Sequence, residues 1–84
     1  MNDNIRFSKQ SLKYLARLHK PKRLQILSAI ENLSDGDTKK LIGKRNLYRL
    51  RVNDYRVVYS PSGDIINITR IGSRGEIYKW IMIN

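Results

Sequence analysis

The chain has 84 residues, with 17 lysines and arginines against 7 aspartates and glutamates, a net charge of +10 and no cysteine. That length supports one small domain burying only ~60–65% of its unfolded surface, and without thiols neither a disulfide framework nor a thiolate metal site can reinforce it. The start MNDNIRFSKQ lacks the apolar core of a signal peptide and no run reaches membrane-spanning length, so the expectation is a soluble cytoplasmic protein with no membrane partner.

IRFS (Ile5–Ser8) reads as a short first strand. Ser8 or Ser11 then offers a helix N-cap, followed by Leu12, Leu15, Ala16 and His19 at helical spacing. HKPKR interrupts this run, and Pro21 suits the first turn of a second helix. That helix carries Leu24, Leu27, Ile30 and Leu33 along one stripe, widened by Ile26, and ends near SDGD. TKKLIGKRN reads as a basic connector. Three strands follow, Leu47–Val52, Tyr55–Ser60 and Ile65–Ile71, separated by the turn chemistry of ND and SPSGD. In RIGSRGEIYKW, Gly72 and Gly75 bracket Arg74 in what reads as a flexible turn. The tail EIYKWIMIN reads as a short helix or strand packing Trp80 and its apolar neighbours on the sheet. The expected fold is a single α+β domain over residues 1–84. Its order is β-α-α-β-β-β plus a tail, with a two-helix hairpin on one face of a mainly antiparallel sheet.

Alternation along the strands sorts the side chains. Tyr48, Leu50 and Val52 share one face, with Tyr55, Val57 and Tyr59 beside them; Arg49, Arg51 and Arg56 share the other. One side is oily and the other cationic. Neighbouring cations repel, and Asp37, Asp54, Asp64 and Glu76 are too few to neutralise them all. Guanidinium forks match phosphate oxygens, tyrosines stack on bases, and ten excess positive charges exceed what solubility requires. The face therefore points to a phosphate-rich or acidic partner.

KKLIGKRNLYRLRVNDYRVVYS followed by RIGSRGEIY resembles the RelE/ParE superfamily of toxins from type II toxin–antitoxin systems. The strand and helix order covers nearly the whole chain, while the first forty residues match in pattern only. The resemblance to the RelE branch implies a ribosome-dependent, metal-independent mRNA endonuclease that needs no cofactor and cuts the message in the A site. The ribose 2′-OH attacks the adjacent phosphate, leaving a cyclic phosphate and a free 5′-OH. Carried over by motif, Arg56, Arg74 and Tyr78 fall on catalytic positions. Arg49 and Arg51 fall on RNA-binding ones, to which Lys44 and Arg45 of the basic connector add. RelE itself has lysines at the first two basic strand positions. Arginine, with a pKa above ~12, is a poor general base, which leaves Tyr78, water or ribosomal RNA for that task. His19 is expected to pack or cap, and Glu76 to start a helix.

The resemblance also implies partners: the ribosome with its mRNA, and a cognate antitoxin whose acidic segment wraps the toxin in a higher-order hetero-oligomer. That segment is expected to cover the arginine face or displace the tail. Two other readings stand beside the nuclease. One is a ParE-like inhibitor of DNA gyrase; the other is a non-catalytic RNA-binding module using the same face.

Overall fold

A computed structural model describes residues 4–83. Along the chain come β1 (Ile5–Phe7), α1 (Lys9–Arg17), α2 (Lys20–Glu31), a 3-10 turn (Leu33–Asp35), β2 (Asp37–Lys40), β3 (Tyr48–Val52), β4 (Tyr55–Ser62), β5 (Ile65–Ser73) and α3 (Arg74–Ile83). The five strands form one sheet in the order β1-β5-β4-β3-β2, with β1 parallel to β5 and every other pair antiparallel. Among the described residues, no helix is long and apolar enough to cross a membrane.

The helical hairpin packs on one sheet face, as its apolar spacing predicts. Ser8 is the N-cap of α1: its backbone is extended and its Oγ accepts the Ser11 N–H at 3.1 Å. That hydroxyl also donates to the Thr69 carbonyl at 2.8 Å, tying the helix start to β5. Beyond β1, the amide of Gln10 takes over the role of a neighbouring strand. It donates to the Ile71 carbonyl at 2.8 Å and accepts the Ile71 N–H at 3.0 Å. Pro21 lies in the first turn of α2, and His19 occupies its N-cap with no side-chain capping bond. In α2 the buried line is Ile26 and Ile30; Leu24, expected on that stripe, is 51% exposed. Together with Leu15, Leu50, Val52, Val57, Tyr59, Ile68 and Ile71 these residues form the core. Each fully buried aliphatic side chain contributes about 1.5–3 kcal/mol.

A bulge shapes this core. Val58 pairs with Arg70 but Tyr59 pairs with Ile68, leaving Thr69 as the extra residue. Simple alternation would put Ile68 and Ile71 on opposite faces. The bulge brings both into the same core.

Three features depart from the sequence reading. The start of the supposed connector is strand β2, antiparallel to β3 with Asp37 opposite Arg51 and Lys40 opposite Tyr48. All four of its side chains are exposed, so this edge strand has no apolar alternation to betray it. Gly72 belongs to β5 and Gly75 to the first turn of α3, so strand passes to helix with no flexible turn between them. Finally, the tail is a helix packed on the sheet, one of the two forms expected, but it lies across the arginine face, which was expected to point to solvent or a ligand. That face is therefore not purely cationic: Val58 and Ile77 are buried at its centre. Gly72 lets α3 approach this closely, because a Cβ there would stand 3.2 Å from Ile77 Cδ1 and 3.3 Å from Glu76 Cβ. Trp80 is half-buried, its ring 5.7 Å from the Arg70 guanidinium.

Candidate active site

The strand register sets the cations in rows on the α3 side. Arg51 stands opposite Arg56, which stands opposite Gly72; Arg49 stands opposite Val58, which stands opposite Arg70. Local acceptors then aim three of these guanidiniums, those of Arg49, Arg51 and Arg56. The Asp37 carboxylate lies 3.3 Å from Arg49 and 3.9 Å from Arg51, and the Asp37 carbonyl accepts a further bond from Arg49 at 3.1 Å. Arg56 donates to the carbonyls of Asn53 at 2.8 Å and Tyr55 at 2.9 Å. The Asn53–Asp54 turn makes this possible: Asn53 adopts a left-handed φ of 53°, a conformation asparagine tolerates. The same turn locks the start of α3, since the Arg74 N–H donates to the Asp54 carbonyl at 2.9 Å.

Arg49, Arg56, Arg74 and Tyr78 line one cleft of about 50 Å³, floored by Leu41, Ile77 and Ile81. Arg74 and Tyr78, one turn apart on α3, face each other with the guanidinium 5.8 Å from the ring centre. Among the described residues no carboxylate pairs with Arg56 or Arg74. The Arg56 guanidinium is held below its usual range, first by burial and then by the charges of Arg51, Arg49 and Arg74, with Tyr78 acting in the opposite sense. Cations crowded around one partly dry point, where among the described residues only Arg49 has a carboxylate beside it, favour an anion arriving from outside.

The other sequence candidates lie nearby or elsewhere. Arg51 is exposed at the rim. Lys44 and Arg45 lie on the β2–β3 loop, whose Leu41 reaches the cleft while their own side chains do not line it. Glu76 caps α3 in a reciprocal box: its Oε1 accepts the Ser73 N–H at 2.8 Å and its own N–H donates to the Ser73 hydroxyl at 3.2 Å. Tyr14 of α1 also donates to that carboxylate at 3.3 Å, and its phenol is pushed up to about 12, by burial first and then by Glu76. His19 stands at the α1–α2 joint.

Sequence reasoning named Asp37 only as a possible pairing acid, and it missed the apolar floor. The strand pairing that brings Asp37 to Arg49 is invisible in an exposed edge segment. The spacing of Ile77 and Ile81 by one helical turn was the available signal for the floor.

The model of the family described as "ParE toxin of type II toxin-antitoxin system, parDE" matches residues 5–78. The chain belongs to this family. It is a toxin of a type II toxin–antitoxin system in the RelE/ParE superfamily. The curated Toxin RelE3 of Methanocaldococcus jannaschii is 41% identical over 44 residues, 52% of this toxin and 50% of the relative, so the match spans about half the length of that relative. The toxin also resembles a chain in the RelB–RelE antitoxin–toxin complex from Methanococcus jannaschii. There the TM-score is 0.74 and the identity 30%, covering 89% of this chain and 96% of that one. Similarity to a chain in the archaeal RelE–RelB complex from Pyrococcus horikoshii OT3 is comparable, with a TM-score of 0.72 and 31% identity over 89% and 98% of the two chains.

Proposed function

We propose that this toxin is a RelE-type endoribonuclease that cuts mRNA held in the ribosomal A site, without a metal. The supporting observation is the convergence of Arg49, Arg56, Arg74 and Tyr78, from two strands and a helix, on one cleft. At about 50 Å³ the cleft has room for phosphate oxygens and not for a base. The bases stay outside, where Tyr78, 56% exposed, offers a ring to stack on.

In the reaction the ribose 2′-oxygen attacks the adjacent phosphorus. The new P–O2′ bond forms as the P–O5′ bond breaks, giving a 2′,3′-cyclic phosphate and a 5′-hydroxyl. Negative charge grows on the non-bridging oxygens, and Arg56 and Arg74, the cleft cations that no carboxylate among the described residues pairs with, offset it. Arg49 and Arg51, steadied by Asp37, hold the flanking backbone, and Lys44 and Arg45 of the β2–β3 loop add charge outside the cleft. The 2′-OH proton passes to Tyr78, to water or to a group of the ribosomal RNA, and the leaving 5′-oxygen gains a proton from the same environment. An antitoxin with an acidic segment neutralises the toxin by covering the arginine face or displacing α3, within a higher-order complex.

The test is to map 5′ ends on translated messages after brief expression of wild type, Arg74→Ala and Tyr78→Phe. Cuts phased to the A site in wild type, and reduced in both variants, support the reading. No phased cuts in wild type removes the nuclease, and cuts undiminished in both variants remove these residue roles. The name of the matched family favours a second reading, inhibition of DNA gyrase. Loss of supercoiling by gyrase in the presence of purified toxin, with messages left intact, would select it.

A further inference from the structure

Strand β5 runs on past its outer neighbour, since β1 pairs only with Ile66, Asn67 and Ile68. Helix α1 borders the edge left open. Ser8 reaches the Thr69 carbonyl, Gln10 takes both backbone polar groups of Ile71, and Tyr14, one turn after Gln10, reaches the end of the strand. There its hydroxyl donates to Glu76 Oε1 at 3.3 Å, the same oxygen that accepts the Ser73 N–H at 2.8 Å. A side chain of the helical layer thus passes round the open edge of the sheet and holds the first turn of α3, which lies on the opposite face. The ring makes a second contact. It stands edge-on to Tyr55, with centroids 6.3 Å apart and planes at 76°. Tyr55 pairs with Ser73 across the ladder, and its carbonyl accepts the Arg56 guanidinium at 2.9 Å.

Tyr14 does not line the cleft, yet it touches the two residues that stand behind its cations: Glu76 in the first turn that carries Arg74, and Tyr55 beneath Arg56. We propose that Tyr14 is a positioning residue for the cleft: its hydroxyl, through Glu76, fixes the first turn of α3 and with it the direction in which Arg74 meets the scissile phosphate. Its ring, against Tyr55, keeps the same side chain in step with the turn that aims Arg56. The phenol suits a permanent donor, because burial and then the Glu76 charge push it up to about 12, far above neutral pH. Glu76 is exposed, so water competes for its carboxylate and the bond adds little to global stability. Its effect falls on direction. This rests on cleavage of RNA in the cleft as proposed above, and it places one determinant of that chemistry on the other layer of the fold.

A role in packing alone would need the ring and not the hydroxyl, and Tyr14→Phe separates the two by removing only the donor. Single-turnover cleavage on programmed ribosomes should slow by about threefold to tenfold, the scale of one hydrogen bond. Affinity for a message with a 2′-O-methyl ribose at the cut, which cannot react, should stay that of wild type. In a Glu76→Ala background the same change should have no further effect, since the acceptor is gone. Hydrogen exchange, read without any cleavage, should quicken at the Ser73 and Arg74 amides and stay unchanged along β4, with matching melts showing that the variant folds. Equal rates in wild type and Tyr14→Phe, an equal further loss in the Glu76→Ala background, or unchanged exchange at Ser73 and Arg74 overturns the proposal. A wild-type toxin that cuts no message overturns the proposed function instead, and exchange alone then decides whether Tyr14 holds α3 in place.

Discussion

Arg51 and Arg56 stand directly opposite each other in the β3–β4 ladder. Like charges at such a site destabilise a sheet by about 0.2–1 kcal/mol, and Arg51, 58% exposed in its side chain, recovers little from an Asp37 oxygen 3.9 Å away. Arg51→Thr is therefore expected to raise the urea midpoint at an unchanged slope while weakening RNA binding and flattening its salt dependence. A stabilised variant with undiminished RNA affinity would mean that the repulsive pair does not serve RNA binding.

Asp37 is expected to act in two opposed directions. Asp37→Ala removes the carboxylate that aims Arg49 and adds a net positive charge. General RNA affinity should rise a few-fold in filter binding, while the rate of message cleavage falls by about tenfold as the guanidinium loses its fixed direction. Affinity and rate moving together would contradict a positioning role.

Arg56→Ala and Arg74→Ala should each reduce single-turnover cleavage by about 10²–10³-fold, the scale for removing one fixed donor from a transition state. Arg56→Lys should rescue little, because one ammonium cannot bond the carbonyls of Asn53 and Tyr55 and still present a fork to phosphate. Full rescue by lysine would reduce Arg56 to a simple point charge.

Gly72→Ala should cost about 1–3 kcal/mol in denaturant unfolding, since the new methyl meets Ile77 and Glu76 in a closed contact between β5 and α3. Because α3 carries Arg74 and Tyr78, cleavage should fall with it. Gly75→Ala has open space around it and makes the informative control.

Glu76 gives a pH signature. Its carboxyl is held below the usual value of 4.5, chiefly by the Ser73 backbone N–H and then by the Ser73 hydroxyl. A depressed folded value contributes stability that is present above the unfolded carboxyl range and is lost as pH falls through the folded value. The melting temperature of Glu76→Gln should thus fall short of wild type near neutrality, and the gap should close below about pH 4. A gap constant down to strongly acid pH would separate the capping box from this ionisation.

The arginine alternation was legible in the sequence because a strand's period of two is strict and three basic residues followed it. Gly72 and Gly75 misled for a physical reason: glycine marks turns, but it also marks backbone approached closely, and only the position of α3 separates the two uses. Strand β2 left no trace because an exposed edge needs no apolar side chains. The bulge at Thr69 was equally silent, since it follows from two isoleucines three apart that must both reach the core.

The pairing of residues 5–7 with 66–68, next to the central strands, bears on when the toxin becomes harmful. Such distant partners must find each other before the sheet is complete, and folding topologies of this type are slow. The helix that carries Arg74 and Tyr78 grows directly out of β5, so these two groups stand beside the arginines only once β5 has paired with β4. On the proposed function, a newly made chain is inert until that pairing forms, which leaves an interval in which a neutralising partner can bind it.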